Sequence, residues 1–154
     1  VAGEPQHALA EAEPALSIAT AMQHAYLIAG LSVNAGEACL KLDRLDDAER
    51  HATHALQQEE ESSRPHALIV LGMVQRERGQ HDQAAATLRM AVETAQVIQD
   101  VFAEANAWRE LGLALKAHDV PASLNAFDHA IALFNELGLS NDIERTRQMT
   151  QDAS

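Results

Sequence analysis

The sequence predicts an all-α chain built as a serial array of helix pairs, and three observations carry that prediction. Aromatic residues are 3% of the 154 residues, and no alternating run of β-branched residues suited to a strand occurs. Apolar residues recur at helical spacing instead, as in Trp108, Leu111, Gly112 and Leu115. The third observation is an internal period. Counting from Gly72, Gly79 lies seven residues on, Ala84 twelve, Leu88 sixteen and Ala91 nineteen. From Gly36 the same offsets reach Asp43, Ala48, Ala52 and Ala55, and from Gly112 the pattern returns one residue early at His118, Ser123, Phe127 and Ala130. Ala15, Ala55, Ala91 and Ala130 stand 40, 36 and 39 residues apart, a spacing typical of repeat arrays.

Residues 1–28 read as a partial unit with only its second half present, marked by Gly3, Ala8, Ala12 and Ala15. Pro14 leaves two readings open. It kinks the second helix of that unit, or it opens a new helix, AEPALSIATAMQHAYLIAG, in its first turn. Val1 either follows removal of an initiating Met or begins an excised fragment. Residues 29–62 form the next unit, with Gly36 on its first helix and the turn KLDRLDD before its second. In residues 63–100, SSRPHALIVLG places a helix start near Ser62 or Ser63 with Pro65 early in the first turn, and Gly79 suits the stop. Residues 101–139 are the last full unit, WRELGLAL followed by the turn KAHDVPAS. Residues 140–154 are polar enough to form a partial capping helix. A mid-helix Gly costs about 1 kcal/mol relative to Ala. Gly72 and Gly112 are therefore expected to be packing glycines, set opposite small Ala residues so that two backbones approach closely.

These residues resemble the tetratricopeptide repeats, whose pattern is W-x2-L-G-x2-Y followed by A-x3-F. Trp108, Leu111 and Gly112 match, Leu115 stands where Tyr is expected, and Ser123 precedes Phe127 where the family has Ala; the resemblance covers about residues 3 to 139. It implies a right-handed α-solenoid, a superhelix of antiparallel helix pairs whose first helices line a concave groove. The family's Pro near the end of each unit is absent. Stretched units of this kind look like arrays in bacterial multidomain signalling proteins, which implies a bacterial source and a protein-interaction scaffold.

Composition limits the partners. With 23 acidic and 11 basic residues the formal charge is −12, so a phosphate backbone is repelled on average and nucleic acid is not an expected partner. No stretch approaches a membrane span, and no signal peptide opens the chain. The single Cys39 can form no internal disulfide, and a reducing cytoplasmic compartment fits.

No residue pattern supports catalysis or a cofactor. His51 and His54, in HATH, could share a metal, but no third ligand stands at a recognisable spacing, and both are expected to be exposed. Cys39 and Trp108 are expected in the core, and Glu59–Glu61 at a solvated helix end. What remains is a second stripe on each first helix, about 80–160° from the packing stripe at roughly 100° per residue. It holds Val33 and Glu37, then His66, Ile69, Met73 and Arg76, then Asn106, Arg109, Leu113 and Lys116. The expected function is non-enzymatic binding of a peptide or protein carrying an apolar anchor with an acidic residue nearby. An effector-sensing regulatory domain is the alternative. The Lys/Asn clamp by which some tetratricopeptide domains hold a C-terminal carboxylate is not reproduced. Self-association through the N-terminal end is also expected, with Leu9, Leu16 and Ile18 uncovered there.

Overall fold

A computed structural model describes residues 3–152; the start at Val1 and the last two residues of the capping segment lie outside the described residues. The described residues form eight α-helices and no strand: α1 (Glu4–Ala21), α2 (Ala25–Lys41), α3 (Leu45–Gln57), α4 (Arg64–Glu77), α5 (His81–Ile98), α6 (Val101–Leu115), α7 (Val120–Glu136) and α8 (Ser140–Gln151). Each helix packs on the next, and α4 also packs on α2 and α6. Short connections make sequential neighbours antiparallel, and the contacts of Gly36, Gly72 and Gly112 with the following helix group them as α2/α3, α4/α5 and α6/α7. α2 starts at Ala25, so the unit boundary expected at residue 29 falls inside a helix.

Every connection except α6–α7 contains a residue in the left-handed region. Gly79 (φ 75°) and Gly138 (φ 70°) adopt it without a Cβ penalty, whereas Gln23, Asp43, Glu59 and Gln99 adopt it with φ between 53° and 58°. The α6–α7 turn, where the repeat offset shortens by one residue, is closed instead by Asp119, whose carboxylate accepts from Ala122 N at 3.0 Å. Asp100 caps α6 in the same way, accepting from Ala103 N at 2.9 Å. Ser63 occupies the N-cap position of α4 with Pro65 in the first turn, though its side chain makes no capping bond.

Pro14 lies inside α1, and the chain breaks at Met22–His24 instead. The reading that opened a helix at Pro14 is thereby overturned. Pro14 and Ala10 are both on the exposed side of α1, so the carbonyl that loses its i+4 donor there faces water. Leu9, expected to be uncovered, is buried with Ala12 against Ala35, Ala38 and Cys39 because α1 lies on α2. Leu16 is half-buried, and Ile18 remains 63% exposed. At the other end α8 packs on α7, with Leu139 and Ile143 against the cluster of Ala105, Ala130 and Phe134.

The packing glycines sit differently from the expectation. A Cβ on Gly72 would stand 2.6 Å from Leu88 Cγ, and one on Gly112 would stand 2.6 Å from Phe127 Cε1. The glycines thus make room for large buried side chains of the partner helix, not for small alanines. Leu88 and Phe127 are both fully buried there. In the α2/α3 pair the position of Leu88 is taken by Ala52, and Val70 from α4 comes in to cover Gly36, 3.1 Å from its would-be Cβ.

Candidate functional site

The first helices α2, α4 and α6 carry the second stripe, and contact with both neighbours divides it. Val33 packs with Ala55 and Ala67, and Ile69 with Ala91, Val92 and Ala107; both are buried and present little surface to a ligand. α4 has helices on several sides, so positions outside its packing stripe are covered as well. Met73, Leu113 and Lys116 are half-buried, and Glu37 is exposed. Glu37 lines an open groove of about 750 Å³ between α1 and α2.

The cationic part of the stripe is largely engaged within the chain. His66 Nε2 lies 3.0 Å from Asp100 Oδ2, Arg76 Nη1 donates to Glu110 Oε2, and Arg109 Nη1 donates to Asp142 Oδ1 at 2.9 Å. The separations are 34, 34 and 33 residues, so each contact joins a first helix, or its N-cap, to the next in the array. Burial opposes the charge on Arg76, but the Glu110 and Glu77 carboxylates outweigh it and hold its pKa above the ordinary value. Arg109 also donates to Asn106 Oδ1 at 2.7 Å and lies 5.2 Å over the Phe134 ring. The expectation that Arg76 and Arg109 meet a partner's carboxylate is thus displaced, because one repeat length places internal carboxylates on both. Among the described residues Lys116 has no ion-pair partner.

The other side chains singled out in the sequence are placed as follows. Cys39 is fully buried, and burial pushes its thiol pKa up, only partly offset by Arg44. Trp108 packs among the clusters of α4–α8, stacks on His129 with 4.5 Å between ring centroids, and donates from Nε1 to Glu104 at 3.3 Å. His51, expected in solvent, is 4% exposed: its Cβ lies 3.6 Å from the would-be Cβ of Gly36, so it fills the space left beside that glycine. Burial lowers its pKa, with Arg50 adding to the effect. His54 Nδ1 lies 3.3 Å from Ser32 Oγ. Among the described residues no group of three His, Cys, Asp or Glu side chains is arranged to hold a metal ion. An open groove of about 870 Å³ between α1 and α3, lined by Leu16, Glu13, Glu49 and Arg50, contains none of the stripe residues on the first helices, and Leu16, expected in self-association, stands in its wall. It forms between helices of different pairs, so no local sequence pattern marks it. Among the described residues no helix is long and apolar enough to cross a membrane.

Residues 13–129, from within α1 to within α7, match the protein-family model described as "T7SS, ESX-1 secretion system protein EccA1, N-terminal domain". No curated protein matches the chain.

Proposed function

Because this chain belongs to the family of EccA1 N-terminal domains of ESX-1 secretion-system proteins, we propose that it is a non-enzymatic protein-interaction domain that binds a protein of a bacterial secretion system in the cytoplasm. In this reading the helix pairs form a right-handed tetratricopeptide-type superhelix, and the partner lies along the first helices. The observation that supports the reading is the division of the stripe: Met73 on α4 and Leu113 on α6 stay partly accessible while the arginines beside them are fixed by internal carboxylates. Fixed side chains lose little further freedom on binding, which favours a preformed surface. Met73 adapts its shape to an apolar anchor. Lys116, whose stem is half-buried, supplies the cation for an acidic residue near that anchor.

Calorimetric titration against the secretion-system proteins encoded in the same genome tests this. A partner should bind the wild-type chain, lose at least tenfold in affinity to Met73→Glu at any salt, and lose affinity to Lys116→Ala mainly at low salt. Undiminished binding by both variants would move the site off the first helices.

A further inference from the structure

The connections alternate between two edges of the array because each helix reverses direction, so the α1–α2, α3–α4, α5–α6 and α7–α8 turns share one edge. Exposed large apolar groups concentrate there, beside a run of three acids. Met22 and Tyr26 flank the first of these turns, 65% and 58% exposed, and Phe102 and Leu137 flank the third and fourth, 47% and 41% exposed. Between them the α3–α4 turn carries Glu59, Glu60 and Glu61. Ile98, Phe102 and Leu137 line an open groove of about 680 Å³, with Glu60 and Glu61 also at its wall. Glu60 accepts from Ser62 Oγ at 3.0 Å, and none of the three glutamates has an ion pair among the described residues. Arg64, exposed at the start of α4, is the guanidinium nearest in sequence; on the opposite edge Lys41, Arg44, Arg78 and Lys116 stand among Asp43, Asp46, Asp47, Asp82 and Asp119, with Arg44 paired to Asp47 and Arg78 to Asp46.

We propose that this acidic and apolar edge docks a segment of another protein that carries Lys or Arg beside large apolar side chains. The apolar groups enter the groove at Phe102 and Leu137, and the cations meet Glu60 and Glu61. Carboxylates before α4 also suit that helix's positive N-terminus, but the helix dipole gives no reason for Phe102 and Leu137 to face water beside them. The charge selects the occupant. An anionic lipid surface would be repelled by the three glutamates and by a net charge of −12. A second copy placed edge to edge would bring the same carboxylates together. A cationic segment is the complementary one. The surface is separate from the first-helix stripe, whose accessible charge near Leu113 is Lys116, so either can fail without the other.

Selection from a displayed library of random 16-residue peptides on the full chain tests the proposal. Enriched peptides should place Lys or Arg next to Phe, Leu or Trp. Their affinity should fall at least tenfold for Phe102→Ser and for the double variant Glu60→Gln, Glu61→Gln, and stay unchanged for Met73→Glu. Thermal melts check that the edge variants and Met73→Glu fold; the glutamate variant removes two charges, one half-buried at Glu60 and one exposed at Glu61, without changing side-chain size. Neutral or acidic winners, or affinity unchanged in both edge variants, would overturn the proposal. So would sedimentation of the chain with phosphatidylserine vesicles that depends on Phe102, which would make the occupant a membrane. A dimer in light scattering that Phe102→Ser dissolves would make it a second copy, and would overturn it too.

Discussion

Arg76 on α4 donates to Glu110 on α6 across one repeat, with side chains 17% and 8% exposed. Both ends are largely removed from water, so loss of one partner is felt by the other. Replacing Glu110 with Ala leaves the Arg76 guanidinium with Glu77 alone and is expected to destabilise by about 1.5–3 kcal/mol. The joint change Arg76→Met, Glu110→Leu should recover much of that loss, since two apolar groups need no partner. Urea unfolding of the single and double variants measures the coupling. Strictly additive losses would mean that the pair does not join the two helices.

The glycine register gives a second expectation. Gly72→Ala places a Cβ 2.6 Å from Leu88 Cγ, so the gain in helix propensity is opposed by overpacking, and Gly72→Leu should cost about 1–3 kcal/mol or more. Gly36→Ala meets Val70 Cγ1 at 3.1 Å, a contact a small shift can relieve, and should be the milder change. Leu88→Ala in the Gly72→Ala background should cost less than it does in the wild type. Equal melting temperatures for wild type and Gly72→Leu would contradict the register.

Two buried groups set opposite pH limits. His51 has its pKa lowered by burial, so the unfolded chain binds its proton more readily. Its contribution to stability is complete above the ordinary histidine value of 6.5 and declines as pH falls from there through the lower folded value. Cys39 has its thiol pKa raised by burial, so the unfolded chain ionises first and stability declines as pH rises above 9.0. Urea midpoints between pH 5 and 10 should fall at both ends. His51→Gln should flatten the acid side, and Cys39→Ala the alkaline side. A thiol reagent should modify native Cys39 slowly and the unfolded chain quickly.

The legible part of the fold was carried by residues whose pattern has one physical meaning. Gly72, Leu88 and Ala91 at fixed offsets mark a helix pair, and Pro65 after two serines marks a start. The left-handed residues Gln23, Glu59 and Gln99 were not legible, because these residue types seldom adopt that backbone and carry no glycine-like mark. The stripe residues were legible as positions and not as partners. Periodicity places Arg76 and Arg109 on the corresponding faces of α4 and α6, whereas their pairing with Glu110 and Asp142 depends on how successive first helices lie against each other. His51 was misread because a helix continuing into Gln and Glu looks solvated, while the empty volume beside Gly36 draws its imidazole inward.

Hydrogen exchange of the chain alone and in complex with a secretion-system protein that it binds tests the binding reading most directly. Added protection should centre on the segments of α4 and α6 around Met73 and Leu113, with little change in the middle of α5, where Met90 faces solvent. Protection confined to the second helices α3, α5 and α7, with α4 and α6 unchanged, would contradict binding along the first helices.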